Sequence, residues 1–188
     1  MSRPTAPEVT DRALVIYAIV RRGGIELVVN ETQGDPTRLA QAEQARIETD
    51  RWLEQESLTG AVRGSERALL DAPSGSWPAE AVRDAMWRKE AMGVLLWALQ
   101  HVDVLPEAGT EFTQATLDGI ITRYGSVSSF RANGLLRPSD QIEQAWLEAD
   151  AWVGATEGRG GDDAALASIA AERFRALSWL RDASAAPA

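Results

Sequence analysis

The sequence predicts an all-α chain, a single-domain irregular bundle of about six helices around a buried central helix at residues 79–102. Three observations point there. Apolar residues recur at helical spacing through most of the chain, loops carrying Gly or Pro separate those stretches, and strand signals are nearly absent outside residues 11–29. Residues 79–102 contain no proline. Their Met86, Trp87, Ala91, Val94, Leu95, Trp97, Ala98 and Leu99 cover nearly every helical face, as in a helix enclosed by others.

Residues 1–8, with Pro4 and Pro7, read as a flexible lead before a domain spanning 9–182. Two β-branched runs then flank Arg21-Arg22-Gly23-Gly24, which suits a hairpin. Equally, Leu14, Tyr17, Ala18, Arg21, Ile25 and Val28 fall on one helical stripe, at a cost of about 1 kcal/mol for each internal glycine. Spacing leaves both open. Asp35-Pro36 offers an N-cap and a first-turn proline for a helix to about Ser57. Its stripe of Leu39, Ala42, Ala45, Trp52 and Leu53 is interrupted by polar Thr49. A short helical turn follows at Ser65–Leu70, then a plain loop at Ala72–Pro78. Gly93, inside the central helix, predicts close approach of a neighbouring helix, and Leu105-Pro106 closes the segment. Residues 110–124 read as a modest helix, 125–129 as a loop and 130–138 as irregular. Ile142, Trp146, Ala149 and Val153 form a clean amphipathic stripe behind the caps Ser139 and Asp140. Gly158–Asp163 is a connector, Ala164–Asp182 the last helix, and 183–188 a frayed tail.

Composition removes many chemistries. At 188 residues, 45% hydrophobic and 25% charged, the chain can bury an ordinary core. It has no cysteine and one histidine, His101, so thiolate chemistry and sites needing two imidazoles are excluded. A net charge of −9 argues against nucleic acid or an anionic membrane as partner. Apolar runs of eight or nine residues are too short to span a bilayer, and no secretory signal is visible, so a cytoplasmic location is expected. Gly-x-Ser-x-Gly, Ser-x-x-Lys, the P-loop, the dinucleotide fingerprint and His-Glu-x-x-His all fail. No catalytic residue, metal ligand or cofactor is therefore expected, and the reading leans away from an enzyme.

Two constellations remain as candidate sites. Arg88, Glu90, Glu172 and Arg173 interrupt apolar helices, where an unpaired charge is costly. They are expected to supply at least one buried Arg–Glu pair, either a clamp fixing helix register or the polar part of a pocket. Residues 139–163 carry seven acids against one base. Of these, Asp140, Glu143, Glu148, Asp150 and Glu157 form a candidate docking face for a protein partner. His101 fits a helix C-terminal cation or a packed imidazole. The seven tryptophans fit core packing, with a Trp-lined groove as the functional alternative.

Trp87-Arg88-Lys89-Glu90-Ala91-Met92-Gly93-Val94-Leu95-Leu96-Trp97-Ala98-Leu99, followed by Leu105-Pro106, resembles a helix of the bacterial domain-of-unknown-function family 4272. Glu172-Arg173-Phe174-Arg175-Ala176-Leu177-Ser178-Trp179-Leu180 is similar to that family's closing block, and Leu136-Arg137-Pro138-Ser139 and Arg12-Ala13-Leu14 agree more loosely. The resemblance implies a helix over residues 11–29, and it implies no reaction. One departure is that Trp146-Leu147 and Asp150-Ala151-Trp152 stand where the family usually carries Tyr-Arg and His-Trp-Ala. The expected role is a non-catalytic interaction or regulatory module. A small-molecule binder or enzyme with a Trp-lined pocket, and a self-associating structural protein, are the rival readings.

Overall fold

The computed structural model describes residues 2–32, 35–156 and 164–184. Among them the chain forms eight α-helices and no strand. They are α1 (Ala6–Glu31), α2 (Pro36–Gln55), α3 (Gly64–Asp71), α4 (Ala79–Ala98), α5 (Gln114–Thr122), α6 (Val127–Ala132), α7 (Ser139–Thr156) and α8 (Ala164–Arg181). A single 3-10 turn covers Thr59–Ala61. The backbone groups into two compact units, residues 14–86 and residues 1–13 with 87–188.

Helix α1 begins at Ala6, inside the segment expected to be a lead. Its start is a reciprocal capping box. The Thr5 amide donates to Glu8 Oε2 at 2.7 Å and the Glu8 amide to Thr5 Oγ1 at 3.4 Å. The helix then runs through Gly23 and Gly24, so the hairpin alternative for residues 11–29 does not occur. Gly23 is there for packing: a Cβ on it would sit 2.9 Å from the Ala85 Cβ of α4, within residues 14–86. α2 starts as its sequence indicates, with the Asp35 side chain accepting from the Arg38 amide at 3.0 Å and Pro36 in the first turn. It lies antiparallel to α1: Trp52 meets Tyr17 edge to face, centroids 6.3 Å apart, while Leu39 and Val29 both close on Gly75.

Helix α4 contributes to both units: Ala91–Leu99, in the second, are buried at every position, whereas its first half, within residues 14–86, exposes Glu80, Arg83 and Asp84. All-round burial is thus confined to the second half, and the helix ends at Ala98, before the expected 102. Gln100 takes φ 62°, and the amides of Gln100 and His101 reach back to Trp97 O and Leu96 O at 3.0 and 2.9 Å. This is a Schellman ending with glutamine where glycine is usual. What approaches Gly93 is an aromatic ring from the loop before α5, not the neighbouring helix expected. A Cβ there would lie 2.3 Å from Phe112 Cδ2. The stretch expected to be irregular after residue 129 begins instead inside a short helix, α6, capped by Ser126 Oγ accepting from the Ser129 amide at 3.1 Å.

α7 and α8 run antiparallel. Trp146 Nε1 donates to Ser178 Oγ at 2.9 Å, Trp146 packs on Phe174 with centroids 5.7 Å apart, and Trp152 lies over Arg173. The expected connector Gly158–Asp163 lies outside the described residues. Of the expected tail, the Ala183 amide is tied to Ser2 O at 2.8 Å.

Two stability outcomes follow from these backbone fits. Gly93→Ala is expected to destabilise by about 2 kcal/mol net, the cost of overpacking less the helix propensity gained. Urea denaturation measures it, and the penalty should shrink in a Phe112→Ala background, because the two sites share one clash. Gln100→Gly should stabilise by about 0.5–1 kcal/mol by relieving the left-handed conformation.

Candidate functional site

The centre of residues 87–188 is a buried ion pair. Arg173 of α8 donates from Nε and Nη2 to Glu90 Oε2 of α4 at 2.9 and 2.8 Å. Neither group reaches solvent appreciably: Glu90 is 0% exposed and Arg173 4%. The rest of each head group binds loop backbone. Glu90 Oε1 accepts the Phe112 amide at 2.8 Å, and Arg173 donates to Pro106 O at 2.9 Å and Thr110 O at 2.6 Å. The guanidinium also lies 5.2 Å from the Phe112 ring centre and 5.6 Å from that of Trp152. Burial pushes the Glu90 carboxyl above its ordinary value, opposed by the Arg173 charge and by its hydrogen bonds from Arg173 and Phe112. Of the four clamp candidates the structure therefore joins Glu90 to Arg173. Glu172 pairs with Arg175 one turn on, leaving its buried Oε2 without a hydrogen bond among the described residues. Arg88 is half-buried on α4 and is not part of the Glu90–Arg173 pair.

Over this clamp lies a groove between residues 103–108 and α7. Its outer part, a cleft of about 630 Å³, is lined by Trp97, Asp103, Val104, Leu105, Arg137, Asp140 and Glu148. Its inner part, about 310 Å³, reaches Pro106, Glu107, Ala149, Trp152, Arg173 and Leu177. The two share Leu105, Ala145 and Glu148, so they form one groove. Arg137 shapes the outer wall. It stacks on Trp97 at 4.9 Å and donates to Trp97 O, Val102 O and Asp103 O at 2.8–2.9 Å, satisfying one carbonyl at the end of α4 and two in the segment beyond it.

The acidic-face candidates separate. Asp140 and Glu148 line the groove on one face of α7, two turns apart. Glu143 faces α8, where Arg181 donates to it at 2.6 and 2.9 Å while stacking 3.7 Å over Trp146. Asp150 is exposed outside the groove, and Glu157 lies outside the described residues. Sequence reasoning gave no site role to Asp103, Glu107 and Arg137, which sit in irregular stretches without periodicity; the hints were their closeness to Leu105-Pro106 and Pro138 and, for Arg137, its place in the Leu136–Ser139 block. It also missed a second buried pair, Arg22 with Glu26 on α1, both side chains wholly enclosed. His101 is a packed imidazole and not a helix-terminal cation. Its Nδ1 shares a hydrogen bond with Tyr124 Oη at 2.8 Å, its ring stacks on Phe130, and burial followed by the Arg123 charge lowers its pKa. Among the described residues no three acidic, histidine or cysteine groups converge as a metal site. No helix there is long and apolar enough to cross a membrane.

Arg173→Met should cost about 3–5 kcal/mol at neutral pH, since it leaves a buried carboxylate without its cation. A carboxyl whose folded-state pKa is raised binds protons more tightly folded than unfolded. Stability therefore falls as pH rises from the ordinary value of 4.5 through the raised one. Losing Arg173 removes the opposing charge and extends that window upward. The difference between variant and native chain, measured by urea denaturation, should be smaller at pH 5 than at pH 7.

No curated protein and no solved structure matches the chain significantly. A family profile described as a domain of unknown function (DUF4272) matches residues 1–186. With the Glu90 and Glu172–Arg173 blocks both inside that match, the chain belongs to the DUF4272 family.

Proposed function

We propose that this protein is an interaction module whose groove along α7 receives a positively charged, partly apolar segment of another protein. One observation carries the reading. Asp103, Glu107, Asp140 and Glu148 surround the groove, and none has a cationic partner among the described residues. Four other acids of the same unit are matched by a cation: Glu90 by Arg173, Glu143 by Arg181, Asp11 by Arg131 and Glu111 by Lys89. Arg173 on the groove floor is neutralised by Glu90, and Arg137 offsets only one of the four rim charges. The lining therefore keeps a negative field over an apolar floor. Val104, 76% exposed, adds unburied apolar surface at the outer end. A partner carrying Arg or Lys between aliphatic residues complements both features, charge at the rim and contact area on the floor. This agrees with the charge clustering in residues 139–163, although only Asp140 and Glu148 of that cluster enter the groove.

The test is a titration of the chain with the peptide Leu-Arg-Leu-Arg-Leu-Arg and its Glu counterpart, read by calorimetry. The basic peptide should bind and weaken as salt is raised, and the acidic one should not bind. Asp140→Lys with Glu148→Lys should lower affinity about tenfold or more, while two like reversals at exposed acids outside the groove, Glu54→Lys and Glu80→Lys, should not. Equal losses for both pairs would reduce the effect to net charge and overturn the assignment of the groove.

A further inference from the structure

In residues 14–86, the apolar stripes of α1 and α2 face each other, and each is interrupted where they part. The interruptions, Arg21 on α1 and Thr49 on α2, open on the same cleft of about 220 Å³, lined by Tyr17, Ala18, Arg21, Ala45, Glu48, Thr49 and Trp52. A stripe that only had to pack would carry aliphatic residues at those positions. The floor is aromatic: Tyr17 and Trp52 meet edge to face. At the mouth stand two opposite charges that do not pair with each other. Arg21 lies 5.6 Å over the Tyr17 ring and makes no hydrogen bond or ion pair among the described residues, so the donors of its guanidinium are uncommitted. Glu48 accepts one bond at Oε1, from Gln44 Nε2 at 2.9 Å, and its other oxygen is unclaimed. This contrasts with the adjacent face of α2, where Arg46 is consumed by Glu43 and Asp50.

We infer that this cleft binds a small zwitterion of amino-acid size, its carboxylate on Arg21, its ammonium on Glu48 and its apolar body against Tyr17 and Trp52. The chemistry selects the class. A guanidinium presents a planar fork suited to a carboxylate, and its position over a ring holds that fork in place. A carboxylate opposite it suits an ammonium. The volume is below the range of drug-sized pockets, which excludes nucleotides and long peptides but admits one side chain with its two charged groups. Thr49 does not supply a donor, because its hydroxyl is spent on Ala45 O at 2.8 Å. Selectivity therefore rests on the two charges and the floor. This site is independent of the groove along α7, and it stands or falls separately.

L-phenylalanine, 3-phenylpropionate and phenethylamine, titrated singly into the full chain, test it. The readouts are Trp52 indole and Tyr17 ring shifts in NMR spectra, assigned with Trp52→Phe and Tyr17→Phe variants. Phenylalanine is expected to bind in the millimolar range or tighter and to shift both rings. Each one-charge analogue should bind about tenfold more weakly. Arg21→Met should weaken phenylalanine and phenylpropionate about tenfold and leave phenethylamine unchanged; Glu48→Gln should weaken phenylalanine and phenethylamine about tenfold and leave phenylpropionate unchanged. Arg21 and Glu48 are exposed, so both variants keep the fold, which the thermal unfolding midpoint verifies. Absence of saturable shifts with all three probes, or binding of phenylalanine that Arg21→Met leaves intact, overturns the assignment.

Discussion

Each unit of this protein depends on a carboxylate and a guanidinium buried together and finished by the backbone of a loop. In residues 87–188 the pair is Glu90 with Arg173, and the loop is 106–112. In residues 14–86 it is Glu26 with Arg22. Glu26 accepts the Gly75 amide at 2.9 Å and the Trp77 amide at 3.3 Å, and Arg22 donates to Ala72 O at 3.1 Å. The physical constraint is the same in both. A charge removed from water is stabilised by an opposite charge and by hydrogen bonds at its remaining positions; of these four head groups only Arg22 keeps a buried atom, Nε, without a hydrogen bond among the described residues. Neither partner can be lost alone, and the loop that completes the pair cannot move away without uncovering it. Irregular backbone is thereby tied to helices by side-chain hydrogen bonds, and Arg22 and Arg173 each lie under an aromatic ring of the loop they bind, Trp77 and Phe112.

That anchoring explains where the groove is. Residues 103–108 stand off α7 because Arg137 ties the carbonyls of 102 and 103 on one side and Arg173 that of Pro106 on the other. The Phe112 ring, fixed by its own amide on Glu90, occupies the space that Gly93 leaves on α4. With the loop spaced in this way, the face of α7 carrying Asp140, Gln144 and Glu148 is left uncovered, while the opposite face is filled by Trp146, Phe174 and Arg181 of the α7–α8 pair. Charge follows the same division. The α8-facing Glu143 is neutralised, and the groove-facing acids are not.

The glycines show how local rules yield to packing. Gly23 and Gly24 would weaken an isolated helix, yet α1 continues through them because Gly23 lets Ala85 approach to a distance no side chain would permit. Conversely, Gln100 and Ser57 hold positive φ, at 62° and 57°, in helix-terminal turns where glycine would be less strained. There the hydrogen bonds of the turn, Leu58 N to Leu53 O and His101 N to Leu96 O, offset the conformational cost.

What the sequence determined by itself was the class and much of the element list. Periodic apolar residues separated by Gly and Pro specify helices without reference to the rest of the chain, which is why α2, α4, α7 and α8 are legible, and Asp35-Pro36 marks a start because capping is local. The excess acid of residues 139–163 and the charges at 90 and 173 were also legible, as residues that an apolar helix would not carry without a reason. Tertiary structure decided the partners. Glu90 and Arg173 are 83 residues apart, and nothing local distinguishes that pairing from one through Glu172. The same holds for Arg22 with its loop, for Phe112 over Gly93, and for the division of α7 acids between groove and α8. Periodicity tells which residues share a face of a helix. Only the packed chain tells what that face meets, because a contact between distant residues is set by the geometry of every element between them.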